Sequence, residues 1–198
     1  MKKILFVMYF LTVFLFMVSC QKSDTVYNQY LPSNTDPYSA KALAQISSPY
    51  VEKYWNSNKF HLGHIHMKLN SEMRGMIYAE FADSMNGSPK VVEVSIDTIN
   101  MKVVKLSYLG KGSKIDPGAI SINDWKVDSQ EAIMLAKDSI FKEFDISTID
   151  SIDVTTNNNS ISYNDSWNIV ITSDTKRYFA YVDSLSKETK VGQVRELR

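Results

Sequence analysis

The feature that most constrains this chain is a change of hydrophobic period that occurs twice. After Asp128, the residues Ile133, Lys137, Ile140, Phe141 and Phe144 fall near helical spacing, all apolar except Lys137. Beyond them the period becomes two: Ile152 and Val154, then Trp167, Ile169 and Ile171, then Tyr178, Ala180 and Val182 alternate with polar neighbours. A helix with one apolar stripe and strands with one apolar face must bury those surfaces against each other. The spacing therefore predicts a helix of about sixteen residues followed by antiparallel strands. Asp128 with Glu131 three residues on is a capping-box-like start. Ser184 to Glu188 should turn the chain into a last strand near Lys190 to Arg195.

The same order occurs earlier. Asp36-Pro37 is read as a helix opening, with Asp at the cap and Pro at the first helical position. Ala40, Leu43, Ala44 and Ile46 continue that helix, and Ser48-Pro49 is expected to break it and begin a short second one through Tyr54 and Trp55. Alternating segments follow at Leu62 to Leu69, Gly75 to Ala82, Lys90 to Ile96 and Met101 to Tyr108, with the hairpin dipeptide Asn86-Gly87 between the second and third. The predicted fold class is α+β, with two units at 36–108 and 127–198. A linker over 109–126 contains Gly110, Gly112 and Pro117-Gly118.

The two units agree closely at one point. Val92 to Asp97 and Tyr178 to Asp183 each end an alternating strand on Asp, followed by a turn and a strand with Lys102 or Lys190 near its start. With the acidic helix cap, the Trp167 strand and Val182-Asp183, this resembles the PepSY family of extracytoplasmic domains, known from metalloprotease propeptides and bacterial envelope proteins. The family's closing turn carries a glycine that is missing here. Asn100 stands there in the first unit and tolerates a left-handed backbone, while Ser186 to Thr189 require a longer loop in the second. The resemblance implies contact with peptides or secreted proteases, and it implies two PepSY-like units in tandem.

The amino terminus is an address. Lys2 and Lys3 precede an apolar run from Ile4 to Val18, and Ser19-Cys20 closes it, which is the order of a secretory signal peptide. Fifteen residues fall short of the roughly twenty that span a bilayer as a helix. Met17-Val18-Ser19-Cys20 resembles a bacterial lipobox, with Met17 in place of the usual leucine. The resemblance implies cleavage before Cys20, palmitate and related acyl chains on that residue, and an extracytoplasmic body held at the cell membrane or outer membrane. Cys20 is also the only cysteine, so lipidation accounts for a thiol that would otherwise be unpaired in an exported protein. Residues 1–19 are the expected signal peptide and 20–35 the lipidated cysteine and a polar tether, with Tyr27, Tyr30 and Leu31 able to dock on the body.

The chain holds 22 basic and 22 acidic residues, and removal of Lys2 and Lys3 leaves a small acidic excess. With no block of positive charge, no nucleic-acid partner is expected.

All three histidines lie in Phe60-His-Leu-Gly-His-Ile-His66. On a strand, His64, His66 and Lys68 share one face, and an i, i+2 pair of imidazoles can share Zn²⁺ or Cu²⁺ with a carboxylate from a neighbouring strand, Glu80 or Glu93. The alternative is a solvated strand face that carries histidines. No serine elbow, P-loop or dinucleotide glycine pattern is present. Asp145, Asp150, Asp153, Asp165, Asp174 and Asp183 read as turn and cap residues. Trp55, Trp125 and Trp167 at strand or helix spacing read as core rather than as a ligand groove. A non-enzymatic binding or regulatory lipoprotein of the envelope is therefore expected, with a metal-binding protein as the alternative.

Overall fold

A computed structural model of the chain describes residues 24–83, 90–111, 120, 122–157 and 166–194. The signal peptide, Cys20, Asn86-Gly87 and Asp165 lie outside the described residues. Within them, strand β1 (Thr25–Tyr30) and helix α1 (Ala40–Trp55) precede β2 (Phe60–Asn70), β3 (Gly75–Asp83), β4 (Lys90–Asp97) and β5 (Lys102–Lys111). A 3-10 turn (Ile122–Asp124) leads to α2 (Ser129–Phe144) and then to β6 (Ser151–Asn157), β7 (Ser166–Ser173), β8 (Lys176–Asp183) and β9 (Thr189–Gln193). The α+β class is observed.

The strands form one nine-stranded sheet in the order β1-β5-β4-β3-β2-β6-β7-β8-β9, antiparallel at every ladder. Each half is a helix followed by a four-stranded meander. The halves join through their first strands: β2 pairs with β6 from His66↔Thr155 to Asn70↔Ser151. Met67 and Leu69 thus meet Val154 and Ile152 on one buried face, where both helices pack in a single core. Equivalent strands meeting antiparallel relate the two halves by an approximate two-fold rotation.

The helix amino termini meet near that junction. The Asp128 carboxylate accepts from Ser129 N at 2.7 Å, from Lys41 N at 3.4 Å and from the Ser39 hydroxyl. Ser129 Oγ in turn accepts from Ala40 N at 2.8 Å and donates to Tyr38 O at 2.7 Å. Each helix start carries about half a positive charge, so one carboxylate serves two dipoles. The Lys41 ammonium donates to Trp125 O, tying the same junction to the segment before α2.

Several sequence expectations shift in detail. Helix α1 starts at Ala40 with Ser39 as its cap, because the Asp36 carboxylate is spent on Tyr38 N at 2.9 Å in a preceding turn. Ser48-Pro49 does not break it. Pro49 removes the bond to Gln45 O, yet both residues are exposed, so water solvates the freed carbonyl. The Ser47 and Ser48 hydroxyls bond the Leu43 and Ala44 carbonyls at 2.8 and 3.2 Å, a helix-internal outlet for polar groups near the proline. Among the described residues Glu131 makes no bond back to the helix start; it pairs with Lys187 at 2.6 Å.

The segment expected as a tether contains β1, which adds to the sheet edge on β5, and Leu31 is buried. The expected linker also joins the core through Ile120, Ile122 and Trp125. Ile120 N bonds Leu62 O at 2.8 Å, and Lys126 N and Val127 N bond Ser184 O at 2.9 and 3.0 Å. Trp125 meets Trp167 edge to face, with ring centroids 4.9 Å apart, and Trp167 Nε1 donates to Val127 O at 3.0 Å. These two tryptophans are core, as expected, while Trp55 is half-buried beside Phe60.

Candidate functional site

The helices cover one face of the sheet, and alternation sends the remaining side chains to the other face. On that open face the ladder registers bring the sequence-selected residues into two adjoining rows. One row runs His64, Glu80, Glu93 and Ser107 across β2, β3, β4 and β5. The next runs Thr155, His66, Tyr78, Ser95 and Lys105 across β6, β2, β3, β4 and β5. A register shift between Leu62 and His64 leaves Leu62 and Gly63 both buried, and regular alternation beyond it places His64 and His66 on one face, as predicted.

Glu80 and Glu93 are direct cross-strand partners. Like charges in that position destabilise a sheet. Burial pushes the Glu80 carboxyl above its ordinary value, against the pull of His66. Burial raises Glu93 as well, and the adjacent Glu80 adds to it, with Ser95, Lys105 and His66 opposing. Ser95 Oγ donates to Glu93 Oε1 at 3.3 Å. Among the described residues, neither carboxylate has a cation within ion-pair distance.

The histidines are held by different neighbours. His64 Nδ1 lies 3.1 Å from Thr156 Oγ1, which also accepts from Ile65 N at 2.9 Å. Burial, and then the proximity of His66, lowers the His64 imidazole below its ordinary value; Thr156 works the other way. His66 Nε2 sits 3.6 Å from Asp153 Oδ1, and its ring lies 5.8 Å from that of Tyr78 at 36°. Asp153, expected on a turn, is a β6 strand residue and completes the open-face cluster. Sequence reading missed it because the β2–β6 pairing joins residues far apart in the chain.

The predicted metal set is only partly assembled. His64 stands opposite Glu80, while His66 stands opposite Tyr78 and turns toward Asp153. Among the described residues no three His, Cys, Asp or Glu side chains converge closely enough to hold a metal ion. Asp145, Asp150 and Asp174 stand at turns and element ends. Asp145 ends α2 at φ 50°, Asp150 accepts from Asp174 N at 2.9 Å, and Asp174 itself turns at φ 47°.

The repeated Asp97 and Asp183 do the same work in both halves. Asp97 Oδ1 accepts from Ile99 N and Asn100 N at 2.9 and 3.0 Å, and Asp183 Oδ1 accepts from Leu185 N and Ser186 N at 2.9 and 2.7 Å. Burial works to raise Asp97, but the Asn100 side chain, these N–H groups and Lys102 together hold it below the ordinary carboxylate value. The Ser186 N–H leads in lowering Asp183. The left-handed residues of these turns are Met101 and Lys187, at φ 53° and 67°, rather than Asn100.

No helix among the described residues is long and apolar enough to cross a membrane. The chain matches no protein-family model and no curated protein. Among solved structures it is similar to the crystal structure of a "putative lipoprotein (CD1622) from Clostridium difficile 630", with a TM-score of 0.56 and 13% sequence identity, covering 84% of this chain and 100% of that one. At that identity the likeness is one of fold.

Proposed function

We propose that this chain is a lipid-anchored lipoprotein of the bacterial cell envelope and a non-enzymatic binding or regulatory module. Its two helix-plus-meander halves are read as PepSY-like units. The open sheet face receives a segment of a partner protein or peptide, a secreted protease among the candidates. The observation that carries this reading is the Glu80–Glu93 pair: two half-buried, facing carboxylates with no ion-paired cation among the described residues. A lysine or arginine from a partner would relieve their repulsion and gain charge-assisted hydrogen bonds. The Met17-Val18-Ser19-Cys20 segment supports the anchor, as does a neighbour in fold described as a "putative lipoprotein".

Two measurements test it. Radiolabelled palmitate should enter the protein and be lost in Cys20→Ser; label retained in that variant ends the anchor reading. Crosslinking in the native envelope should capture a partner whose yield falls sharply in Glu80→Gln with Glu93→Gln and holds in His64→Ala with His66→Ala. Capture that ignores the glutamates removes this face from the binding reading.

A second reading rests on His64 lying across the ladder from Glu80: a metal protein using His64, His66 and Glu80, with Zn²⁺ or Cu²⁺ drawing the side chains together. It requires stoichiometric metal in the purified protein, lost with the histidine double variant.

A further inference from the structure

We propose that the β1 edge of the sheet, with the groove between β1 and α1, rests on the surface of the membrane that holds the chain. This depends on the lipidation of Cys20 proposed above and adds an orientation to it. The Asp24 carboxylate binds the Lys105 ammonium, and Thr25 and Val26 pair with Leu106 and Lys105 on β5. These bonds fasten the start of β1 to β5 at the rim of the sheet. Only Gln21, Lys22 and Ser23 separate Asp24 from Cys20. Four residue steps reach at most about 14 Å. The eight strand spacings from β1 to β9 amount to roughly 38 Å. The lipid can therefore lie close to the β1 edge and cannot reach the β9 edge.

The rim has the surface chemistry for that position. Val26 and Tyr30 on β1 are 72% and 71% exposed, the highest values among the exposed large apolar side chains described. Ile99, in the adjoining β4–β5 turn, is 55% exposed. The Lys102 ammonium stands 4.5 Å above the Tyr30 ring. On the helix side, a groove of about 550 Å³ is lined by Tyr27, Tyr30, Ile46, Pro49, Tyr50 and Lys53, among others. Tyr27 and Tyr50 meet edge to face at 4.7 Å. Tyrosines have an apolar body and a polar tip, which suits the level of lipid headgroups, and lysines beside them suit phosphates. The outer backbone edge of β1 sets the depth. Its unpaired N–H and C=O groups are costly in hydrocarbon but are solvated among hydrated headgroups, so the edge rests on the bilayer without entering it. Covering this edge also removes a template for strand addition. The Glu80–Glu93 pair then stands two to three strand spacings above the lipid, about 10–14 Å, with β9 outermost.

The test uses lipidated full-length protein in vesicles of phosphatidylethanolamine with a minority of phosphatidylglycerol, carrying a quencher on a lipid headgroup. Cys20 is the only cysteine and is consumed by the lipid, so Val26→Cys and Leu185→Cys each provide one thiol for a fluorophore. Quenching several-fold stronger at position 26 than at position 185 is expected. Equal quenching overturns the proposal. A long Gly-Ser insert between Ser23 and Asp24 should preserve the contrast, and adding Tyr30→Ser with Lys53→Gln and Lys102→Gln should abolish it while circular dichroism stays unchanged. If the insert alone abolishes the contrast, the edge has no affinity for lipid, and the proposal is overturned while the anchor stands. If the protein fails to float with the vesicles, the anchor itself is wrong, and the orientation falls with it.

Discussion

At the scale of single residues, this protein concentrates its polar commitments at two places. Asp128 is the first, since one carboxylate serves the starts of both helices. A lost cap typically destabilises by about 1 kcal/mol, so Asp128→Ala should lower stability by about 2 kcal/mol or more in urea unfolding, with Asp128→Asn in between. A loss near that of one ordinary cap would show that the bonds to α1 contribute little. The sequence made Asp128 legible as the cap of its own helix. Its service to Ser39 and Lys41 was not legible, because nothing local says that the two helix starts meet. The second place is the Glu80–Glu93 pair. Both carboxyls lie above their ordinary value of 4.5, so the folded state holds those protons more tightly than the unfolded chain. That contribution is complete below the ordinary value and is lost as pH rises through the raised ones. Glu93→Gln should therefore raise the urea midpoint at neutral pH and give no gain in strong acid. His64 works in the other direction: lowered from 6.5, its contribution is present above that value and is lost as pH falls through the lowered one. The two effects oppose each other between the ordinary values of 4.5 and 6.5, so His64→Gln should remove the loss that appears as pH falls below neutrality, read as a urea midpoint that changes less with acid than in the unmodified protein.

At the scale of elements, strands were the most readable and helix boundaries the least. Alternation in β2 through β5 and β6 through β9 survives because one face of each strand meets the helices, so a slip of one residue would invert every side chain. Local rules misplaced two features of α1. Asp36-Pro37 has the composition of a helix start, but Ser39 provides the cap and places the next half's Asp128 and Ser129 within reach. Pro49 has the composition of a break, but its position on the exposed side lets the helix run on. Pro49→Ala should therefore restore one helical hydrogen bond and stabilise by about 1–2 kcal/mol, read as a higher melting temperature. The β2–β3 hairpin is less forgiving. A Cβ on Gly75 would lie 2.0 Å from Lys68 O, while Gly75 N and O both bond the Thr98 hydroxyl at 2.9 and 3.0 Å. Backbone would have to move, so Gly75→Ala should lower the urea midpoint clearly, and an unchanged midpoint would contradict this close approach.

At the scale of the whole molecule, the two halves share a sheet and a core. Met67 packs beside Val154 across the junction, and Trp125, from the segment between the halves, packs on Trp167. The mature body should therefore unfold in one step, with tryptophan fluorescence and far-ultraviolet dichroism giving the same urea midpoint. Trp167→Ala should lower stability by about 3–5 kcal/mol and shift both probes together. Two separated transitions would mean that the halves are independent. The sequence alone determined the period of each segment, and so the elements, the α+β class, the doubled order and the polar face carrying His64, His66, Glu80 and Glu93. Periodicity is local and survives any arrangement of the segments. Only the tertiary structure decided that β2 meets β6, that Asp153 reaches His66, that Asp128 serves two helices and that β1 closes an edge. Those contacts join residues tens of positions apart, where shape and register choose the partner and no spacing along the chain records the choice.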